Sequence, residues 1–334
     1  MKTPSPGKVP IEFLKRFVFG KLGAFRQDTV QGPGVGRDFA VTKYDDVWVI
    51  SSTDPVTGSQ TFLGRIAVNV ATNDVAMSGI EPGWLSIAVL MPLGIGLHKA
   101  ERLFSDIHQQ ARKLGVAVVG GHTEYVSYIP RPIVVATAIG ASRKRPKLPS
   151  DIRPGDFILM GGELAIEGTA ILAAEKRKEL MRKGITAPVL TKAEGLISKT
   201  SVLRLALELG RFDCVKSMHD PTEGGLVGGL YEMSVAADLG FRANLDDVPI
   251  RRETRAIADA LGLDPYKLIS SGSILASCSP RGANRVMAKF RERGMHIRVI
   301  GRFTERGDGR ATSSNGKSNT ITDAPSDELW RAIG

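Results

Sequence analysis

The sequence predicts an α+β protein of two domains, and three observations carry that prediction. A chain of 334 residues is too long for one small core. Strand-like apolar runs alternate with helix-periodic stretches in both halves. Between the halves lies SRKRPKLPSDIRPGD (142–156), which is basic, proline-rich and without periodicity, as a domain boundary would be. The expected division is 1–150, 151–305 and a tail, 306–334.

In the first half, RDFAVT (37–42) and DVWVISST (46–53) read as adjacent strands separated by the turn-like Tyr44-Asp45. A helix is expected over 59–78, followed by a buried strand, WLSIAVLM (84–91), bounded by Pro82 and Pro92. Leu97, Ala100, Leu103, Ile107, Ala111 and Leu114 keep helical spacing, and Gly115 follows as a stop. VAVVGG (116–121) and IVVATAIG (133–140) supply two more strands, giving the order β-β-α-β-α-β-β with helices on one sheet face.

The second half opens with the strand FILMGG (157–162). Helices are expected near 167–183, 190–210, 222–238, 251–261 and 281–293, and strands near 241–246, 273–278 and 296–303. The stretch 306–325, rich in Gly, Ser and Asn, reads as a loose loop or hairpin, and SDELWRAI (326–333) as a short capped helix.

Composition describes an ordinary soluble protein, 42% hydrophobic and 24% charged. No apolar run approaches the ~20 residues that span a bilayer, and MKTPSPGKVPIEFLKRF lacks the apolar core of a signal peptide, so a cytoplasmic protein is expected. Two cysteines, Cys214 and Cys278, make neither a disulfide framework nor a metal site. Net charge is +10. The basic clusters at 143–147, 176–178 and 251–252 carry no interleaved aromatics for base stacking, so nucleic acid is not expected as a partner.

Four acidic residues sit where strands or loops meet helices or turns. Asp38 follows the glycine-rich QGPGVG (31–36), Asp54 lies in SSTDP, Asp74 in the helix NVATNDVAM, and Asp220 opens DPTEGG. Phosphate and metal sites are commonly built at such junctions. Within the helix, Asn69 and Asn73 share a face, flanked by Thr72, with Asp74 about a quarter-turn away. Such a polar stripe needs partners, either a ligand or a neighbouring strand or surface. Asp220-Pro221-Thr222-Glu223 also reads as a plain helix start, with Asp as cap and Pro at the first position. Gly224, Gly225, Gly228 and Gly229 then need a close approach to explain them. Gly121-His122-Thr123 suits either a ligand-contacting loop or a tight turn. HExxH and GxSxG motifs are absent from the sequence, which excludes zinc-protease and serine-hydrolase readings.

In this order, GRDFAV, SSTDP, GRIAVNVATNDVAMSGIEP, GGHTE, RPGD and HDPTEGGL resemble the AIR-synthase-like ATP-binding superfamily across about residues 31–280. That superfamily includes aminoimidazole ribonucleotide synthase, selenophosphate synthetase, thiamine monophosphate kinase and HypE. The resemblance implies a ferredoxin-like N-terminal sheet domain that pairs in a homodimer, and a C-terminal α/β domain. It implies ATP and Mg²⁺ as cofactors, held by Asp38, Asp54, Asn73, Asp74, Gly121, His122, Thr123, Asp220 and Glu223. Asp38, Asp54, Asp74 and Asp220 are then the candidate metal ligands, and the implied activity is ATP-dependent activation of a small-molecule substrate.

Departures from the pattern qualify that activity. Arg37 stands where the family often has a carboxylate, which favours an alternative, a nucleotide-binding regulator or scaffold with little catalysis. The DPTEGGL and GLDPYKL (262–268) segments look most like HypE, yet the segment TDAPSDELWRAIG carries no cysteine to accept a carbamoyl group, so that chemistry is not expected. No catalytic residue is assigned from the sequence.

Overall fold

The computed structural model describes residues 6–333. Its first sheet has six strands, β1 (Thr29–Gln31), β2 (Ala40–Tyr44), β3 (Val47–Val56), β4 (Pro82–Pro92), β5 (Ala117–Val126) and β6 (Ile133–Ser142). Their spatial order is β1-β2-β3-β6-β4-β5. Neighbours pair antiparallel except β4 and β5, whose parallel pairing needs the crossover that α3 (Leu97–Leu114) provides. Of the expected stripe, helix α3 buries Leu103, Ile107 and Ala111, half-buries Ala100 and Leu114 and leaves Leu97 exposed, and it ends at Gly115 in the left-handed region. Helix α1 (Ile11–Phe17) buries no residue.

Helix α2 (Leu63–Met77) is buried nearly all round. One side lies on the sheet, with Val68, Ala71 and Val75 fully enclosed, and the other meets the second domain. That second contact answers the helix's polar stripe. Asn73 Nδ2 donates to the Thr200 carbonyl at 3.0 Å, and Asn73 Oδ1 accepts from Val202 N at 2.9 Å. Asn69 Nδ2 donates to Thr200 Oγ1 at 2.8 Å, while its Oδ1 accepts from Gln110.

The second domain is a seven-stranded sheet of β7 (Phe157–Gly162), β8 (Val215–His219), β9 (Gly240–Asn244), β10 (Ser273–Cys278), β11 (Ile297–Thr304), β12 (Arg310–Ser314) and β13 (Lys317–Thr320). The order is β13-β12-β9-β11-β7-β10-β8. Around it pack α4 (Ile166–Glu175), α5 (Arg177–Arg182), α6 (Ala187–Glu194), α7 (Leu203–Leu209), α8 (Gly225–Ala236), α9 (Arg252–Leu261), α10 (Pro280–Arg291) and α11 (Glu328–Ile333).

Several expectations change here. The helix expected over 190–210 is broken into α6 and α7, because Thr200 and Val202 spend backbone groups on Asn73. Strand β8 was not anticipated: its sequence, VKSMH, is short and mixed, and it becomes a strand by pairing with β10. The stretch 306–325 is the hairpin rather than the loose loop, since β12 pairs with both β9 and β13 and so extends the second sheet. The basic linker is committed locally. Arg143 pairs with Asp46, Arg145 with Asp151, and the ammonium groups of Lys144 and Lys147 cap the carbonyls of Gly210 and Phe212.

Candidate functional site

The candidate site lies in the cleft where β3 and α2 meet the turn between β8 and α8. Ser52 and Asp54 are two residues apart on β3, so both face the side that carries α2. Ser52 Oγ donates to Asp74 Oδ2 at 2.7 Å and lies 3.3 Å from Asp54 Oδ2. Asp74, turned away from the face of Asn69 and Asn73, thereby points at the sheet. Burial, then the charges of Asp54 and Asp220, hold its carboxyl well above the usual carboxylate range.

Asp220 enters from the second domain directly after β8. It does not cap a helix: α8 begins five residues later, behind Gly224, so the plain helix-start reading of DPTE fails. Both Asp220 oxygens are buried, with no hydrogen-bond partner among the described residues. Burial and the nearby Asp38 push this carboxyl up to about 7. Orphaned buried carboxylates of this kind call for a cation.

Asp38 is placed by the glycine-rich loop. Gly36 has φ of +70°, and a Cβ there would sit 2.1 Å from the Glu232 carbonyl, so only glycine lets the loop lie on α8. That contact brings Asp38 to His219, whose Nδ1 is 2.6 Å from Asp38 Oδ1. His219 Nε2 lies 3.2 Å from Glu232 Oε2, an ionic contact without hydrogen-bond alignment. Burial alone would lower the imidazole, but Asp38 and Glu232 outweigh it and hold it at about 10. Glu232 is correspondingly kept at about 2, where Lys8 and His219 overcome the opposing effect of burial.

Of the nine residues singled out from the sequence, Asp38, Asp54, Asp74 and Asp220 come together. Asp38 arrives already paired with His219 rather than open. Glu223 is adjacent but holds the N-terminal segment, accepting from Lys8 N at 2.7 Å. Asn73 stands outside the cleft: both its amide atoms tie the domains together. Gly121, His122 and Thr123 lie on β5, three strands from β3, with His122 exposed beside Glu124. Gly121 answers to strand pairing, because a Cβ there would meet the Ile87 carbonyl at 1.9 Å. Arg37 folds back on its own loop, donating to the Gly32 carbonyl at 3.2 Å, and does not neutralise the carboxylates.

Sequence reasoning missed Ser52, Glu232 and Lys8. Glu232 had a signal, as the one acidic residue in the apolar helix GLVGGLYEMSVA. Lys8 had none. The glycines of α8 are explained by chain packing: a Cβ at Gly225 would meet the carbonyls of Tyr266 and Leu268.

Among the described residues, no three His, Cys, Asp or Glu side chains are grouped as a ready metal cage. The donors present are hard carboxylate and hydroxyl oxygens from both domains. They suit a cation such as Mg²⁺, which takes one or two carboxylates and completes its shell with phosphate oxygens and water.

Comparison with known proteins follows the same division. The AIR synthase related protein N-terminal domain matches residues 36–142, and the AIR synthase related protein C-terminal domain matches residues 153–314. A candidate hydrogenase expression/formation protein of Methanocaldococcus jannaschii is 27% identical, over 90% of this chain and 89% of its own. The hydrogenase maturation protein HypE in complex with ATP superposes with a TM-score of 0.67 at 23% identity, covering 95% of this chain and 94% of that one. ThiL complexed with AMPPCP and TMP superposes with a TM-score of 0.69 at 18% identity, covering 88% and 92%. With both of its domains matched over most of its length, the chain belongs to the AIR synthase related protein family.

Proposed function

We propose that this protein binds ATP with Mg²⁺ in the cleft between its domains and activates a small-molecule substrate by phosphoryl transfer. The observation that carries the reading is the buried, unpartnered Asp220 facing Asp74 and Asp54 across the domain boundary. Support also comes from the shared fold, since HypE and ThiL have been solved with ATP and AMPPCP. Asp54, Asp74 and Asp220 would hold the cation, and Mg²⁺ there would offset phosphate charge during transfer. Ser52 keeps Asp54 and Asp74 oriented, while Asn69 and Asn73 keep α2 against the second domain so that the two sets of carboxylates stay opposed.

Homodimerisation is part of this reading. Strand β5 is an edge strand with Val118, Val119 and Tyr125 exposed. Beside it lies a cavity of about 290 Å³ lined by Ile87, Phe104, Val118 and His122. An uncovered apolar edge of this length invites a second chain.

Calorimetry tests the proposal. The wild type is expected to bind ATP only with Mg²⁺ present, and Asp220→Asn to lose that Mg²⁺-dependent binding while keeping its fold. Nucleotide binding by Asp220→Asn equal to wild type would refute the role given to the cluster.

A further inference from the structure

Four side chains from four separate segments form a line of alternating charge beside the cleft. They are Asp38 from the loop before β2, His219 from the end of β8, Glu232 from α8 and Lys8 from the N-terminal segment. The contacts are 2.6 Å for Asp38 to His219, 3.2 Å for His219 to Glu232 and 3.0 Å for Glu232 to Lys8. Glu232 divides its two oxygens, Oε2 toward His219 and Oε1 toward Lys8. The imidazole is buried and meets a carboxylate at each nitrogen, so a stronger hold on one side weakens the other.

We propose that His219 competes with a cleft cation for Asp38, and that Glu232 and Lys8 act as positioning residues that set the outcome. The proposal rests on the Mg²⁺–nucleotide reading above. Asp38 lies near Asp74 and Asp220 but is the member of the cluster already paired with a base. It can serve a cation only as far as His219 releases it. Glu232 draws His219 away from Asp38, and Lys8 restrains Glu232 in turn.

Lys8 owes its position to the docking of its segment. Its backbone N–H donates to Glu223 Oε2 at 2.7 Å, and a Cβ on the preceding Gly7 would lie 2.6 Å from Trp330 Nε1. The seating of the N-terminal segment on α8 and α11 is thereby linked to how tightly the cleft holds its cation. Linkage of this kind is reciprocal: a bound cation changes the docking of the segment by the same factor.

The signs of the substitutions are specific. Glu232→Gln leaves His219 with Asp38 as its sole anionic partner and weakens cation binding, about tenfold by the usual effect of losing an outer-shell partner. Lys8→Met frees Glu232 to pull His219 harder and tightens cation binding. The double variant matches Glu232→Gln, because without the Glu232 charge Lys8 has nothing to restrain. Simple addition of charges predicts instead that the double variant returns to wild type, since one negative and one positive charge are removed together.

The experiment is a Mn²⁺ titration read by its electron paramagnetic resonance signal, in the presence of a non-hydrolysable ATP analogue. Wild type and the three variants are compared, with circular dichroism as the control for folding. Opposite shifts for the single variants and a double variant equal to Glu232→Gln are the expected result. A double variant equal to wild type, or a Glu232→Gln affinity equal to wild type, overturns the proposal. If Glu232→Gln does not fold, Lys8→Met decides in titrations at about 0.1 M and about 1 M salt: tightening that survives high salt supports the competition, since a through-space charge effect is screened there, and unchanged or weaker binding, or tightening lost in high salt, overturns it. A wild type that binds no Mn²⁺ overturns the nucleotide reading itself, and the proposal with it.

Discussion

Asp74 and Asn73 are neighbours in the chain with opposite duties, and single substitutions separate them. Asp74→Asn removes an anionic oxygen from the cleft and should abolish Mg²⁺-dependent nucleotide binding while the protein still melts cooperatively. Asn73→Ala strands the Thr200 carbonyl and the Val202 N–H in a buried site. That should cost about 2–3 kcal/mol in denaturant titration, with the cleft carboxylates untouched. Helical geometry let the sequence show that the two residues point about a quarter-turn apart. It could not show that Asn73 faces a loop more than a hundred positions away. Asp38 and Asp220 were legible because each sits just outside a strand, and Asp54 and Asp74, which lie inside β3 and α2, because each is the sole acidic residue of its element. Lys8 was not, because a lysine in a Pro- and Gly-rich segment carries no periodicity, and its partners are set by tertiary docking.

At the level of elements, strands and helices with strong periodicity were legible: α3 with its glycine stop, β4 between two prolines, β6 and β10. Elements that exist through their neighbours were not, and β8 and the broken α6–α7 pair are the examples. The sequence reads β5 as one more apolar strand, whereas in the fold it forms an exposed edge. The dimer prediction is therefore tested at β5. Val119→Asp on this edge should leave the fold unchanged and convert a dimer to a monomer, measured by light scattering at micromolar concentration. A wild type that is already monomeric there would count against the dimer. Both cysteines flank the outer end of the second sheet, with Cys214 separated from His219 by the whole of β8, ~17 Å of strand. Burial pushes the Cys278 thiol up to about 12. Mass spectrometry after incubation with ATP and a carbamoyl donor should find neither thiol modified.

For the molecule as a whole, folding takes carboxyl groups out of water, and this gives stability a definite dependence on pH. Glu167 on α4 is pushed up to about 7 by burial, against an ordinary value of 4.5, and its Oε2 has no hydrogen-bond partner among the described residues. A carboxyl held higher in the folded chain than in the unfolded one favours the fold while protonated. Its contribution is complete below about 4.5 and is lost as pH rises through about 7. The melting temperature should therefore fall between pH 5 and 8, and Glu167→Gln should flatten that fall and melt higher than wild type at pH 8. An unchanged pH profile in Glu167→Gln would show that the group titrates normally. Asp220 shares this direction, but its remedy in the account is a cation rather than a proton. The central claim is that carboxylates of both domains converge on one cation and nucleotide. A crystal structure with a non-hydrolysable ATP analogue and Mg²⁺ tests it most directly. Phosphate and metal density is expected among Asp54, Asp74 and Asp220, with an Asp220 oxygen bonded to the metal or to its water. Nucleotide bound elsewhere, with Asp220 still unpartnered, would contradict it.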